Sequence, residues 1–592
     1  MKKWILQPEA DKKFLDSHPE LPAIISTLLW NRGLKTQKEI DEFLNPDYSE
    51  NIHDPFLFHD MSKALKIIFK AIEKQKNIVI HGDYDADGVC SAVLIYNTLK
   101  KLNAKNVDIF LPHRETDGYG LNSNTIELLK EKNTDLIITC DCGISNAEEI
   151  KLAKKYGMEV IITDHHTVPE KLPKADAIIH PKVPGEKYPD KTLAGGGVAF
   201  KLIQGILKKH AENNENLPDG EPHEAFEKWM LDLAAIATIG DMVPLIGESR
   251  TMARYGLTVL NKTRNLGLQK LLQISGVSDG NGKPKKGNYD VTTVGFKIVP
   301  RINAAGRMDH ANTAYKLLIS ENDAEAEKLS QELNKNNIDR RKLTDDILKQ
   351  AKKQIEETGT KDNLVIFVLG EDWPTGILGL VAGRLKDQFY KPAIVMSKTA
   401  SGEIVGSGRS IEEFNIIKNL QILEDLFIKY GGHPQACGFS IKEKNLEKFK
   451  TEFELKAKED LKDTEKLVPQ IKIDTKVDLE DVNWKLYDLL QKFEPFGMSN
   501  EEPKYVAYGL EVVAIEPVGQ DGKHLKLMVK HNSHVVKKTI GFWFGDSNKH
   551  PYDWKTNLKP GEKIDMVFSI GVNEWNGNRE LELKIEDLNH VK

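Results

Sequence analysis

Hydrophobic positions change their period along this chain, and the changes divide it. From residue 77, short apolar runs alternate with amphipathic stretches. Ile78-Val79-Ile80 reads as a strand, and 89–102 as a helix with one apolar face. Residues 135–139, 159–163 and 177–179 repeat the strand signal. Ser145-x-x-Glu148 has the form of a capping box opening the next helix. Strands that alternate with helices predict a doubly wound parallel sheet. Residues 322–358 lack proline and are mostly polar, which predicts a long exposed helix spacing two domains. A second α/β unit follows, with strands at 364–369 and 393–396 around a helix at 376–385. From about 464 the period becomes two, as in Leu525-Lys526-Leu527-Met528-Val529-Lys530 and Glu580-Leu581-Glu582-Leu583-Lys584-Ile585. Turn signals such as Gln520-Asp521-Gly522 and Asn576-Gly577-Asn578 separate these runs, so a small antiparallel barrel or sandwich is expected. Residues 1–50 read as short helices without chemistry.

Composition narrows the function classes. A chain of 592 residues is too long for one core. Lys+Arg is 83 against Asp+Glu 89, so a net charge of −6 argues against indiscriminate coating of nucleic acid; such contact must be a local groove. Four cysteines are too few for a disulfide framework, and a reducing cytoplasm is the expected location. Cys140-Asp141-Cys142 does not have zinc-knuckle spacing. Met1-Lys2-Lys3-Trp4-Ile5-Leu6-Gln7 turns charged without an apolar core, so neither a signal peptide nor a membrane span is expected.

Candidate chemistry sits at the ends of the first strands. After Ile78-Val79-Ile80 comes His81-Gly82-Asp83-Tyr84-Asp85-Ala86-Asp87-Gly88. Asp141-Cys142-Gly143 follows the second strand, Asp164-His165-His166 the third, and Gly240-Asp241 ends an apolar helical run. Ligands in open α/β sheets bind outside the carboxyl ends of the strands, so three of these four segments should converge at one edge. A single Asp-x-x-Gly would read as a turn; acids and imidazoles at successive strand ends read as a site. Carboxylates with imidazoles suit Mn²⁺ or Mg²⁺, and a carboxylate-rich set suits two such ions, with one acid bridging them.

Asp83-Tyr84-Asp85-Ala86-Asp87-Gly88, Asp141-Cys142-Gly143, Asp164-His165-His166 and Gly240-Asp241 resemble the motifs of the DHH phosphoesterases. Within that family, their order and surroundings resemble its single-stranded-DNA-specific exonucleases, from about residue 50 to the end. The resemblance implies a DHH catalytic domain over 51–320, a connecting helix over 321–360, a smaller DHHA1 domain over 361–463 and an OB-fold over 464–592, after a helical segment 1–50. It implies that His81, Asp85 and Asp141 hold one ion and Asp87, Asp141, His165 and Asp241 the other. His166 would face the scissile phosphate. Asp83 and Asp164 would either orient an imidazole or simply make turns.

Gly431-Gly432-His433 and Gly406-Ser407-Gly408-Arg409-Ser410 allow close backbone approach to a phosphate and offer it donors. Either segment alone also reads as a glycine-rich turn. Together they resemble the DHHA1 phosphate-binding elements, with Gly432 and His433 as contacts. By the same resemblance Arg114, Ser407 and Arg409 would read a terminal 5′-phosphate, and Arg301 or Arg307 the backbone further along. Trp543, Phe544 and Trp575 are candidate stacking aromatics of the OB-fold.

The implied activity is 5′→3′ hydrolysis of single-stranded DNA to 5′-mononucleotides, in repair and recombination. The implied chain is a monomer, with a helicase and a single-strand-binding protein as candidate partners. Two alternatives compete: a DHH–DHHA1 phosphodiesterase of short oligonucleotides or cyclic dinucleotides, and a non-catalytic scaffold. The former are shorter and lack an OB-like tail; the latter have lost acidic ligands.

Overall fold

A computed structural model describes residues 2–591 apart from 115, 280–281, 309, 400–401, 462–466, 532–534, 547–548, 551 and 576. The chain forms two compact units. One comprises 48–244 and 248–467; the other comprises 1–47, 245–247 and 468–592.

The larger unit is built on a five-stranded, all-parallel sheet. Its order is Val107–Phe110, Ile78–Gly82, Leu136–Cys140, Glu159–Thr163, Ala177–Ile179. The two strands at 78–82 and 136–140 are buried along their whole length, as expected when helices cover both faces. Short Val107–Phe110, whose apolar run is interrupted by Asp108, escapes the sequence reading; it is an edge strand fixed by its neighbour. The capping box expected at Ser145 does not form. The helix Ala147–Lys155 starts after Asn146, which makes no side-chain cap. Asn146 instead donates Nδ2 to the Leu121 carbonyl at 2.9 Å, a tertiary bond in place of a backbone cap.

The helix Asp323–Thr358 is long, as expected, but not free-standing. Ala326, Ser330, Leu333, Asn337, Thr344, Ile347, Ala351 and Ile355 are buried along one stripe. That stripe packs on the helices Leu266–Ile274, Val299–Met308 and Thr375–Phe389. Small and polar residues in the stripe hid it from a hydropathy reading. The second sheet orders Phe427–His433, Ala436–Lys442, Glu403–Arg409, Ala393–Lys398 and Ile366–Glu371, with only the last pair parallel.

In the smaller unit, the strands Tyr505–Val518, His524–Lys530, Val536–Gly541, Asn578–His590 and Lys563–Trp575 pair in that order. Pairing of the first with the last closes a five-stranded barrel. Leu525, Leu527 and Val529 point inward while Lys526, Met528 and Lys530 do not, the period-two pattern read from sequence. Residues 1–50 are not all helical. Lys3–Leu6 pairs in parallel with Gln470–Ile473, a partner no local pattern could reveal. Among the described residues no helix is long and apolar enough to cross a membrane.

Candidate metal centre and phosphate-binding surface

The parallel sheet delivers its strand ends to one rim. His81 and Gly82 end the strand Ile78–Gly82, and Asp85 caps the following helix, accepting from the amides of Asp87 at 3.0 Å and Gly88 at 3.2 Å. Asp141 leaves the neighbouring strand with φ +60°, a left-handed conformation that aspartate tolerates better than branched residues. Asp241 follows the last turn of the helix Leu231–Gly240.

These segments meet. Three groups each bring ligand atoms within 4.8 Å of one another: Asp141, His165 and His166; Asp87, His165 and Asp241; Asp83, Asp85 and Asp141. Asp141 belongs to two of them, and His165 joins two. His165 Nε2 lies 3.1 Å from Asp141 Oδ1, 3.5 Å from Asp241 Oδ2 and 3.8 Å from Asp87 Oδ2. His81 is fully buried beside this set but belongs to none of the three groups. Its Nδ1 lies 3.6 Å from Cys142 Sγ.

The buried atoms His81 Nε2, Asp83 Oδ1, Asp141 Oδ1 and His165 Nε2 have no hydrogen-bond partner. Leaving such atoms unpaired is costly unless something else takes their lone pairs. The acids also repel. Burial, then Asp85, pushes Asp87 up to about 7; burial, then Asp87, pushes Asp241 up to about 8. Burial raises Asp141 and Asp83 well above the usual carboxylate range, with help from Asp87 and Asp85 respectively. Among the described residues, no lysine or arginine lies within 4.0 Å of the Asp87, Asp141 or Asp241 carboxylates; the imidazoles of His165 and His166 do, and burial lowers His165 to about 3, so its ring brings no compensating charge. Oxygen and imidazole donors, unpaired and crowded, fit divalent cations such as Mn²⁺ or Mg²⁺.

Asp164 is set apart from this group. It accepts from His166 Nδ1 at 2.8 Å and from the amides of His165 and Ile144 at 2.7 and 3.0 Å. Burial raises its proton affinity, but the bond and charge of His166, the Ile144 amide and His165 together outweigh burial and hold the carboxyl down to about 2.

Three supports were not read from the sequence. The amides of Gly195 and Gly196, at the start of the helix Gly195–Ala211, donate to Asp87 at 2.8 and 2.6 Å. A Cβ on Gly195 would come within 2.6 Å of Asp141 Cβ, and one on Gly196 within 2.3 Å of Ala237 Cβ. The run Gly195-Gly196-Gly197 was the available signal, since such glycines permit close backbone approach. Tyr119 OH donates to the Asp141 carbonyl at 2.9 Å and sits 3.0 Å from His166 Nδ1. Asn303 Oδ1 accepts from the Ala86 amide at 2.7 Å, bracing the loop that carries Asp85 and Asp87.

The predicted phosphate contacts fall into two places. Ser407 and Arg409 share one face of the strand Glu403–Arg409, and the register sets Arg409 opposite Ala436, itself opposite His433. Arg409 Nη1 donates to Ser407 Oγ at 3.3 Å and to the Gly408 carbonyl at 2.8 Å. Gly432 has φ +149°, and a Cβ there would meet the Ala436 carbonyl oxygen at 2.2 Å, so glycine is required. Arg307 donates to the Gly376 carbonyl at 2.8 Å. Burial lowers its proton affinity to about 10, with the charges of Arg114, Arg340 and Arg409 adding. Arg114 lies over the Tyr84 ring at 4.0 Å. Arg301 is elsewhere, donating to Asn334 at 3.1 Å. Of the barrel aromatics, Trp543 is exposed, but Phe544 is buried in the core and is no stacking platform. The Trp575 side chain lies outside the described residues.

The chain is similar to known proteins in all three of its α/β and barrel segments. Residues 77–238 match the DHH family N-terminal domain, 361–459 the DHHA1 domain and 473–587 the RecJ OB domain. The single-stranded-DNA-specific exonuclease RecJ of Bacillus subtilis (strain 168) is 36% identical over 588 residues, covering 99% of this chain and 70% of that protein. That of Haemophilus influenzae is 30% identical and covers 97% of this chain and 96% of its own. The crystal structure of Thermus thermophilus RecJ in complex with Mn²⁺ superposes with a TM-score of 0.80 at 26% identity, covering 100% of this chain and 80% of the other. A second structure of that protein is a complex with Mg²⁺.

Proposed function

The chain belongs to the RecJ family of single-stranded-DNA-specific exonucleases, and we propose that it hydrolyses single-stranded DNA from the 5′ end, releasing 5′-mononucleotides during repair and recombination. The observation that carries this reading is the set of buried, unpaired oxygen and imidazole atoms from separate segments at one sheet rim. His81, Asp85 and Asp141 would hold one ion, and Asp87, Asp141, His165 and Asp241 the other. When bound, two divalent ions would supply Lewis-acid activation of water and of the phosphate. The glycine amides hold the Asp87 carboxylate in place, so it need not reorganise. Asp164 would keep the His166 ring oriented through Nδ1, leaving Nε2 to give a proton to the leaving oxygen. Arg114, Ser407 and Arg409, with Gly432 and His433, would take the terminal phosphate. Arg307 or Arg301 would take the backbone.

We assign catalysis to 51–320, spacing to 321–360, phosphate binding to 361–463 and strand binding to the barrel segment 464–592. The enzyme would act as a cytoplasmic monomer alongside a helicase and a single-strand-binding protein.

The test is Mn²⁺-dependent digestion of 5′-phosphorylated single strands of graded length, with duplex and blocked 5′ ends as controls. Long single strands should disappear from the 5′ end. Cleavage confined to dinucleotides would instead mark an oligonucleotide phosphodiesterase.

A further inference from the structure

The connecting helix Asp323–Thr358 carries two adjacent arginines, Arg340 and Arg341, that neither the metal centre nor the terminal-phosphate contacts use. Arg340 Nη2 donates to Asn337 Oδ1 at 3.0 Å within its own helix, and its Nε is buried without a partner. Arg341 is exposed. Arg301 approaches the same helix from Val299–Met308, through its bond to Asn334.

The arrangement is unlike a structural salt-bridge net. Among the described residues, none of Arg301, Arg307, Arg340 and Arg341 pairs with a carboxylate, although the helix itself carries Asp339, Asp345 and Asp346. Arg384 does pair, with Asp345. The charges instead face one another: Arg341 adds to burial in lowering the proton affinity of both Arg301 and Arg340, and Arg340 does the same to Arg307. Like charges gathered without acids cost free energy unless an anion completes the group. The chain has only twelve arginines and a net charge of −6, so this concentration is local and not a reflection of composition. Guanidinium groups in series match the spaced, singly charged phosphodiesters of a nucleic-acid backbone.

We propose that Arg340 and Arg341, together with Arg301, grip the sugar–phosphate backbone of the single strand beyond its terminal nucleotide, making the connecting helix part of the binding surface. This rests on the single-stranded-DNA reading above. The grip is to phosphate, so it carries no base preference.

The experiment measures fluorescence anisotropy of a 3′-labelled, 5′-phosphorylated oligothymidylate bound to the full chain in EDTA, over a series of KCl concentrations. Each phosphate contact on a single strand contributes about −0.7 to the slope of log affinity against log salt. Arg340→Gln and Arg341→Gln should each make that slope shallower by about 0.7 and weaken oligothymidylate and oligoadenylate alike. Arg340→Lys, which keeps the charge, should keep the slope. Lys353→Gln, at an exposed position paired with Glu357, should leave slope and affinity unchanged. Wild-type slope and affinity in both glutamine variants would overturn the proposal and leave the substrate reading standing. Failure of the wild-type chain to bind any single strand would overturn the substrate reading, and the proposal with it.

Discussion

Replacing Asp141 by asparagine should stabilise the metal-free protein while abolishing its function. Ligand atoms of Asp83, Asp85 and Asp141 lie within 4.8 Å of one another, and Asp83 and Asp141 are buried, which limits screening by water. At that separation and an effective dielectric of ~20, one pair of ionised carboxylates repels by roughly 3 kcal/mol. Asp87 and Asp241, pushed to about 7 and about 8, show that the group already sheds part of its charge by holding protons. The relief from Asp141→Asn is therefore that of about one pair, near 3 kcal/mol, or a rise in melting temperature of a few degrees for a unit of this size. The side chains are nearly isosteric, so no cavity offsets the gain. Wild type should respond oppositely to metal: Mn²⁺ at about a hundredfold over its Kd adds roughly 2.7 kcal/mol to the folded state. The variant should lose that increment, and exonuclease activity should fall by more than about a hundredfold. The assay is thermal unfolding of both proteins in EDTA and in Mn²⁺, read with nuclease activity. A variant that melts below wild type in EDTA, or gains the same Mn²⁺ increment, would refute the repulsion argument.

Three further outcomes follow from the geometry. His166→Ala should lower kcat by about 10²- to 10⁴-fold while keeping the Mn²⁺-induced thermal shift, because its ring is held by Asp164 and not by the acid cluster alone; kinetics and melting checked on one preparation separate the two effects. Arg409→Ala should raise KM for 5′-phosphorylated strands by about 10- to 100-fold and change KM for 5′-hydroxyl strands little, since a charge-assisted bond to phosphate is lost; equal losses on both ends would remove Arg409 from the terminal-phosphate pocket. Trp543→Ala should weaken binding of long single strands by about 1–3 kcal/mol without affecting dinucleotide cleavage, as expected of an exposed aromatic on the barrel.

Much of this was legible in the sequence because the relevant signals are local. Short β-branched runs such as Glu159–Thr163, set between helical stretches, signal strands locally, and the acids that follow them sit at the carboxyl rim by topology. The barrel announced itself through period two and its turns. What escaped depends on partners distant in sequence. Lys3–Leu6 becomes a strand only through Gln470–Ile473. The capping box at Ser145 fails because the helix starts one residue later, after Asn146, whose side chain is bonded to Leu121. Gly195 and Gly196 acquire meaning only when the helix they open reaches Asp87. Phe544 looks like a stacking residue until the barrel closes around it.

The central claim is that the segments ending in Asp87, Asp141, His165 and Asp241 share divalent ions. Crystals grown in Mn²⁺, measured at the manganese absorption edge, test it most directly. Two anomalous peaks roughly 3.5–4 Å apart with Asp141 between them are predicted. Manganese bound in those crystals but absent from the surroundings of Asp141 would contradict the account.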